Sequence, residues 1–421
     1  MNHARRLSWS DHSVGMLAFL ALFPGFFFYH SLLGLGMTGA FLGGFFAPVS
    51  LLVVGPLCFL YAYRVRREAR HLTRVDVLFF IYVAYFLSVI GVNAAAGANA
   101  VIVGHHILAA LFTLNLFLIF RLTDFARSDF RFLAFVSLIG MSAIVFIFSV
   151  DGAFYLAPLG TAKNPESLAT YQGFSRSYLV TFLAVAPLCK KRWLRVLLYC
   201  LGTATLFVNT ARSEFAAMLF VIPIIELYYS KNKLLMLAIF IFIFVFLLFS
   251  REWLLEVLPH NRILELLDLS HSSSANKRHH LTMYAMNTIG KFPVFGDYGS
   301  YNPGFYSHNV LSAWVDTGLF GFLFVLALLI LPAMQMLVKG YVAQVKDEKF
   351  ILAFSMVCIT LLLLATAHYF TDMLIGATLG AYSTYRYGRK NATNRPPHLG
   401  SPAPRHPHLR QAMPQAGRPR V

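Results

Sequence analysis

The stretch Tyr306-Ser307-His308-Asn309, then Val310 to Thr317, then Gly318-Leu319-Phe320-Gly321, holds the residue types best suited to chemistry in this chain. The His-Asn pair stands where the longest polar insert enters an apolar segment. That spacing puts an imidazole at the boundary between water and an apolar phase. The ordinary pKa of histidine lies closest to neutrality, so His308 can take a proton from a hydroxyl there. The same pair also suits an interfacial helix cap. Asp316 follows about two helical turns later. A carboxylate at that depth is a functional candidate that orients an imidazole, binds an acceptor, or glues two helices together.

Other ionisable residues precede the pair. Arg212 lies in Asn209-Thr210-Ala211-Arg212-Ser213-Glu214, a short turn between two apolar segments. Its guanidinium stays charged and offers a planar fork suited to phosphate oxygens. An interfacial anchor, or a partner for Glu214, is the plainer alternative. Further on, Ser274 or Asn276 caps a predicted helix whose first turn carries Lys277, Arg278, His279 and His280. Basic groups oppose the dipole at that helix end but reinforce anion binding. Adjacent histidines point to different sides of a helix, so His279-His280 is a poor metal site, and neither metal nor cofactor is expected. Pro293 and Phe295-Gly296 break the helix, and Gly299, Pro303 and Gly304 shape the return to His308. Arg176, His105, His106, His368 and Asp372 are weaker candidates near the same face, each better suited to an interfacial role than to catalysis.

The elements that must position these residues are membrane helices. Of the 421 residues, 58% are hydrophobic and 13% charged, and the mean hydropathy is +0.64. Soluble domains carry roughly 25% charged residues. Apolar runs of about 17–25 residues recur, the length that crosses a bilayer as helix. The expected fold is all-α, a polytopic membrane helical bundle of about 12 transmembrane helices with a large periplasmic loop. Spans are predicted near 14–33, 41–62, 76–95, 104–121, 132–150, 176–189, 195–209, 213–230, 234–250, 309–337, 350–367 and 371–386. The first is read as a retained helix, not a signal peptide. Cys58, Cys189, Cys200 and Cys358 lie in or beside apolar spans and are expected to be free thiols. The chain shows no internal repeat of the transporter kind.

The net charge of +17 would suggest nucleic acid in a soluble protein. Here it follows the positive-inside pattern, and no nucleic-acid partner is expected. One set of connectors holds Arg64, Arg66, Arg67, Arg70 and Arg74; Arg121, Arg127 and Arg131; Lys190, Lys191, Arg192 and Arg195; Lys231 and Lys233; Lys339, Lys346 and Lys349. These loops share one side, which puts both termini in the cytoplasm. The opposite face then holds Lys163, Arg176, Arg212, Arg251, Arg262, Lys277, Arg278 and Lys291. The outer loop 251–308 is expected to fold as short helices over the bundle, with Leu281, Tyr284, Ala285 and Ile289 on one face. Residues 1–386 form the membrane domain, and 387–421 form a basic tail too poor in apolar residues to bury a core. The tail is expected to be disordered, its charge attracting lipid headgroups.

Assembled in order, these parts resemble the O-antigen polymerase and O-antigen ligase superfamily of bacterial inner-membrane glycosyltransferases, over approximately residues 170–335. The resemblance rests on Thr210-Ala211-Arg212-Ser213 opening a span, Arg278 heading a helix, Phe292-Pro293-Val294-Phe295-Gly296 after it, and His308-Asn309 with Gly318 and Gly321. The spacing from the His-Asn pair to the glycine is one residue shorter than in members, so Asp316 matches their acidic residue only with a shift.

The resemblance implies a metal-independent inverting transfer from a polyprenyl-diphosphate-linked glycan at the periplasmic face. Arg212 and Arg278 would hold the diphosphate, and His308 would orient or deprotonate the acceptor hydroxyl. Arg176, Lys277, His279, Asn309 and Asp316 would bind substrate. It also implies membrane lipids, a chain-length regulator and a flippase as partners. The acceptor is a second glycan in a polymerase of O-antigen, capsule or exopolysaccharide repeats, the preferred expectation. It is lipid A–core in a ligase. A lipid-glycan flippase or transporter is the alternative of another class, and a structural scaffold in an export complex is the blandest.

Overall fold

The computed structural model describes residues 2–67, 72–154, 171–250, 252, 253, 257, 263, 264, 273–343 and 347–393. Arg70, Lys163, Arg251, Arg262, Lys346, most of the segment 251–272 and the tail from 394 lie outside the described residues. The helices are α1 (Asn2–Leu20), α2 (Phe26–Gly34), α3 (Phe46–Arg67), α4 (Arg74–Ala95), α5 (Ala100–Leu122), α6 (Ser128–Ile147) and α7 (Tyr171–Val185). They continue as α8 (Arg192–Val208), α9 (Arg212–Tyr229), α10 (Lys233–Phe249), α11 (Ser273–Lys291), α12 (Leu311–Met336), α13 (Glu348–Thr366) and α14 (Leu374–Thr393). A π-helical turn, Ala21–Gly25, carries the chain through Pro24 from α1 into α2. Among the described residues the sheet structure is a two-residue hairpin, Ser149–Val150 with Ala153–Phe154.

The protein is all-helical, and seven segments are long and apolar enough to cross a membrane. They are Asp11–Gly34, Phe46–Arg67, Arg74–Ala95, Ala100–Leu122, Ser128–Ile147, Leu311–Val342 and Glu348–Thr366. The other expected spans fall on α7, α8, α9, α10 and α14. Of these α7 has 15 residues, and α8 and α10 have 17 each. α9 carries Arg212, Glu214 and Glu226, and α14 runs past the expected domain boundary at 386 to Thr393 with Arg386, Arg389 and Lys390 in its second half. Length and charge therefore separate these five helices from the seven. In α11, expected as part of the outer loop, Ala285 is buried while Tyr284 is exposed.

One contact fixes the centre of the bundle. α5 and α14 form the most extensive helix pair. Gly376 and Gly380 face α5 so closely that a Cβ at either would run into the carbonyl oxygen of Thr113 or Phe117. Small residues one turn apart let two backbones approach in a bilayer, where hydrophobic force between helices is weak. Away from the chemistry, Asp76 of α4 accepts from Arg121 of α5 at 3.0 Å and from Ser383 of α14, which ties the same helices a second time. α13 packs against both α14 and α9, and α7 touches α6, α8 and α9.

A second close approach pins the return loop. Gly318 interrupts α12 with φ 69° and ψ −179°, a region essentially restricted to glycine. The break exposes Leu319 N–H, which donates to the Val294 carbonyl at 2.9 Å, while Asp297 N–H donates to the Val315 carbonyl at 2.8 Å. Gly296, with φ 70°, lies against the carbonyls of Trp314 and Val315.

Gly376→Leu is expected to force α14 off α5 and abolish the folded monodisperse protein in detergent, as read by size exclusion. Recovery of a normal peak with unchanged thermal stability would show that the glycine contact is dispensable. Gly318→Ala is expected to destabilise by about 1–3 kcal/mol from backbone strain alone.

Candidate active site

A cavity of about 310 Å³ lies at the end of the bundle where α7 and α9 begin and α13 hands over to α14. Its carboxylates, guanidinium groups and imidazoles come from Arg176 of α7, Glu214 of α9, Arg278 of α11, His308 of the loop into α12, and His368 with Asp372 of the α13–α14 connector. The α5–α14 contact places that connector, because α14 begins two residues after Asp372.

Four of these groups form one ion cluster. Arg176 Nη1 donates to Asp372 Oδ2 at 2.8 Å, and its Nε and Nη2 reach Glu214 Oε1 at 3.4 Å. His368 Nδ1 lies 2.7 Å from Asp372 Oδ2, and its Nε2 lies 3.5 Å from Glu214 Oε1. An imidazole facing a carboxylate at each ring nitrogen is pushed toward the doubly protonated cation. Burial and the Arg176 charge oppose that cation, but the two carboxylates outweigh them and raise the His368 pKa. Burial likewise opposes the Asp372 carboxylate, and Arg176 with His368 overcomes it and holds the group well below its ordinary range. Arg176 Nη2 sits 3.0 and 3.1 Å from the two ring nitrogens of His368. A donor so nearly equidistant lies along neither lone pair, so we read this as a packing contact.

His308 is the opposite case. Burial lowers its pKa to about 4, with Arg278 and then His368 adding repulsion. It is therefore neutral at pH 7. One ring nitrogen is hydrogen-bonded to the backbone at Ala367. In a neutral imidazole that N–H donates to the carbonyl, leaving the other nitrogen as an acceptor. Tyr306 packs on the ring, centroids 4.9 Å apart, and also on Tyr369 at 4.3 Å. The cavity thus holds two histidines whose pKa values their surroundings push apart, one raised and one lowered.

Behind Tyr369 runs a chain of buried polar groups. Its hydroxyl donates to Asp316, meets Tyr301 Oη at 2.5 Å, and lies 2.8 Å from His106 Nε2. His106 Nδ1 in turn lies 2.8 Å from Tyr298 Oη. Asp316 also accepts from Gly299 N–H at 2.9 Å and from Tyr301. The carboxylate anchors the return loop and Tyr369 rather than lining the cavity.

The cavity brings Arg176, Arg278 and His308 together, three of the residues singled out in the sequence. It does not include Arg212, Lys277, His279, Asn309 or Asp316. Arg212 opens α9, and the next two residues, Ser213 and Glu214, supply the lining. Glu214, one of the alternatives the sequence offered for Arg212, pairs with Arg176 across helices at 3.4 Å. Lys277 and His279 are exposed. Asn309 is committed to structure: its Oδ1 accepts from Leu311 N–H at 3.0 Å and its Nδ2 donates to Thr282 of α11 at 3.1 Å. His368 and Asp372, rated interfacial from sequence, are central; their spacing of four was the available signal. Tyr306 stands in the stretch singled out in the sequence but was given no role there, and Tyr369 carried no signal. Thr210, in the turn before Arg212, adopts φ 65° despite its branched side chain, a strain typical of functional turns.

His368→Gln is expected to destabilise the protein by about 2 kcal/mol through lost charge-assisted hydrogen bonds. The raised folded pKa gives the sign. The wild-type advantage is full below the unfolded value of about 6.5 and fades as pH rises through the folded value. Thermal unfolding across a pH series checks this, and an advantage that grows with pH would refute the imidazolium assignment.

No protein-family model matches this chain, and no curated protein matches it either.

Proposed function

We propose that this protein is a membrane glycosyltransferase that joins a polyprenyl-diphosphate-linked glycan to an acceptor glycan at the periplasmic face of a bacterial inner membrane. A polymerase of O-antigen, capsule or exopolysaccharide repeat units is the preferred form, and an O-antigen ligase acting on lipid A–core is the alternative. The reading rests on one observation: a neutral histidine and two arginines converge on a single cavity at one end of an apolar bundle.

In this mechanism Arg278 and Arg176 bind the diphosphate of the donor. Arg176 is held rigid by Glu214 and Asp372, so it presents its charge without reorganisation. The free nitrogen of His308 takes the proton of the acceptor hydroxyl as that oxygen attacks the anomeric carbon from the side opposite the leaving oxygen. The bond to the diphosphate breaks, and the electron pair leaves on an already anionic group. That chemistry requires neither a general acid nor a metal. Arg212, half-buried at the start of α9 beside the cavity lining, is a more distant contributor to the anion field. The apolar helices would carry the polyprenyl chain, and about twelve spans with both termini in the cytoplasm remain the proposed topology.

A transporter needs polar groups along a path through the bundle. The buried ion pairs Asp76–Arg121 and Arg195–Glu226 lie at helix ends remote from the cavity, which favours chemistry at one face over passage through it.

The test is transfer in vitro with purified protein, a polyprenyl-diphosphate glycan donor, and lipid-linked glycan or lipid A–core offered separately. A ladder with the glycan acceptor indicates a polymerase, and a single shift of lipid A–core a ligase. His308→Ala and Arg278→Ala are each expected to lower the rate by about 100-fold or more without loss of folded protein. Wild-type rates in either variant would remove that residue from the mechanism. Activity should hold through neutral pH and fall as pH drops toward about 4, where His308 becomes charged.

A further inference from the structure

We propose that a basic pocket between α8, α9 and α10 binds the phosphate headgroup of an anionic membrane phospholipid. The pocket lies at the other end of α9 from the cavity. Glu214 of the first turn lines the cavity, and Glu226 and Tyr229 of the last turns line the pocket. Its volume is about 500 Å³.

Its chemistry is one-sided. Lys190, Arg192, Arg195 and Lys231 line it, with Glu226 as the carboxylate. Glu226 is fully engaged. It accepts from Arg195 Nε at 2.5 Å, from Arg195 Nη2 at 3.1 Å and from Tyr199 Oη at 2.9 Å. Arg195 also donates to the carbonyls of Cys189 and Lys190 at 3.0 and 3.1 Å, and lies over the Tyr229 ring at 4.2 Å. This buried, internally neutral pair forms a rigid floor and fixes the connector that carries Lys190 and Arg192. Lys190 does meet Glu348 at 2.5 Å, but it is 72% exposed, so water screens that pair. The floor balances itself, and Arg192 and Lys231, both exposed, add positive charge on the rim.

The wall distinguishes a lipid from a free phosphate. α10 supplies Leu235, Met236 and Ile239 to the pocket, and none of its residues is buried. The apolar surface therefore continues from the basic rim along the whole helix. A headgroup seated on Arg192 and Lys231 would lay its acyl chains on α10, whereas inorganic phosphate has no use for that wall. Basic pockets between membrane helices recognise anionic headgroups in this way.

The test uses the full-length protein in detergent and native mass spectrometry. Phosphatidylglycerol, cardiolipin or phosphatidylcholine is added at equal concentration, with inorganic phosphate as a competitor. Retention of the anionic lipids over phosphatidylcholine is expected, with about a tenfold loss in an Arg192→Gln/Lys231→Gln double variant and no displacement by phosphate. Both positions are exposed and outside the transfer machinery, so the variant should fold and keep its transfer activity. Equal retention of all three lipids, or undiminished binding by the variant, would overturn the proposal. Displacement by inorganic phosphate would replace the lipid with a free anion.

Discussion

Ionised side chains shielded from water survive only as a balanced set, and that constraint organises this structure. Arg176, Glu214, His368 and Asp372 come from α7, α9 and the α13–α14 connector, and together they sum to neutrality once His368 is protonated. Removing any one leaves charge in a medium that solvates it poorly. The cluster therefore sets the distances among three helix ends as firmly as apolar packing does. Those ends define the cavity. The glycine contact of α14 on α5 is its mechanical counterpart, because it delivers the connector to the place where balance is possible.

Balance also separates the two histidines. His368 lies between carboxylates, which raise its pKa against burial and Arg176; burial lowers that of His308, with Arg278 adding repulsion. A short distance in the fold thus pushes two copies of the same side chain in opposite directions, one toward the cation and one toward the neutral ring. Tyr306 and Tyr369 stand between this pair and the Asp316 chain, so the buried carboxylate acts on the cavity through aromatic positioning.

Much of this was legible in the sequence. Apolar run lengths pointed to helices, because backbone hydrogen bonding in an apolar phase leaves few alternatives, and seven of the helical segments are long and apolar enough to cross a membrane. His308 and Arg278 stood out because polar residues are scarce at apolar boundaries. What was not legible depended on distance in space. Glu214 faces a helix that precedes it by 38 positions, and Asp372 meets Arg176 across 196. Adjacency in the chain suggested Arg212 as the partner of Glu214 and told nothing of the rotation that aims the carboxylate inward. The prominence of Asn309 was misleading for a similar reason, since its amide caps α12 and fastens α11.

The break at Gly318 divides α12 into two parts that are held differently. In α12 the turns from Leu311 to Thr317 carry Asp316 and follow directly on His308, whereas the longer part beyond Gly318 is apolar, with Phe320, Leu323 and Leu331 exposed. The two parts meet at a glycine joint whose Leu319 N–H donates to the Val294 carbonyl, so the return loop holds the far end of the short part. The segment that follows His308 is therefore fastened at both ends, to α11 through Asn309 and to the return loop beyond Gly318, while the longer part of the helix, past Leu319, is free of both ties.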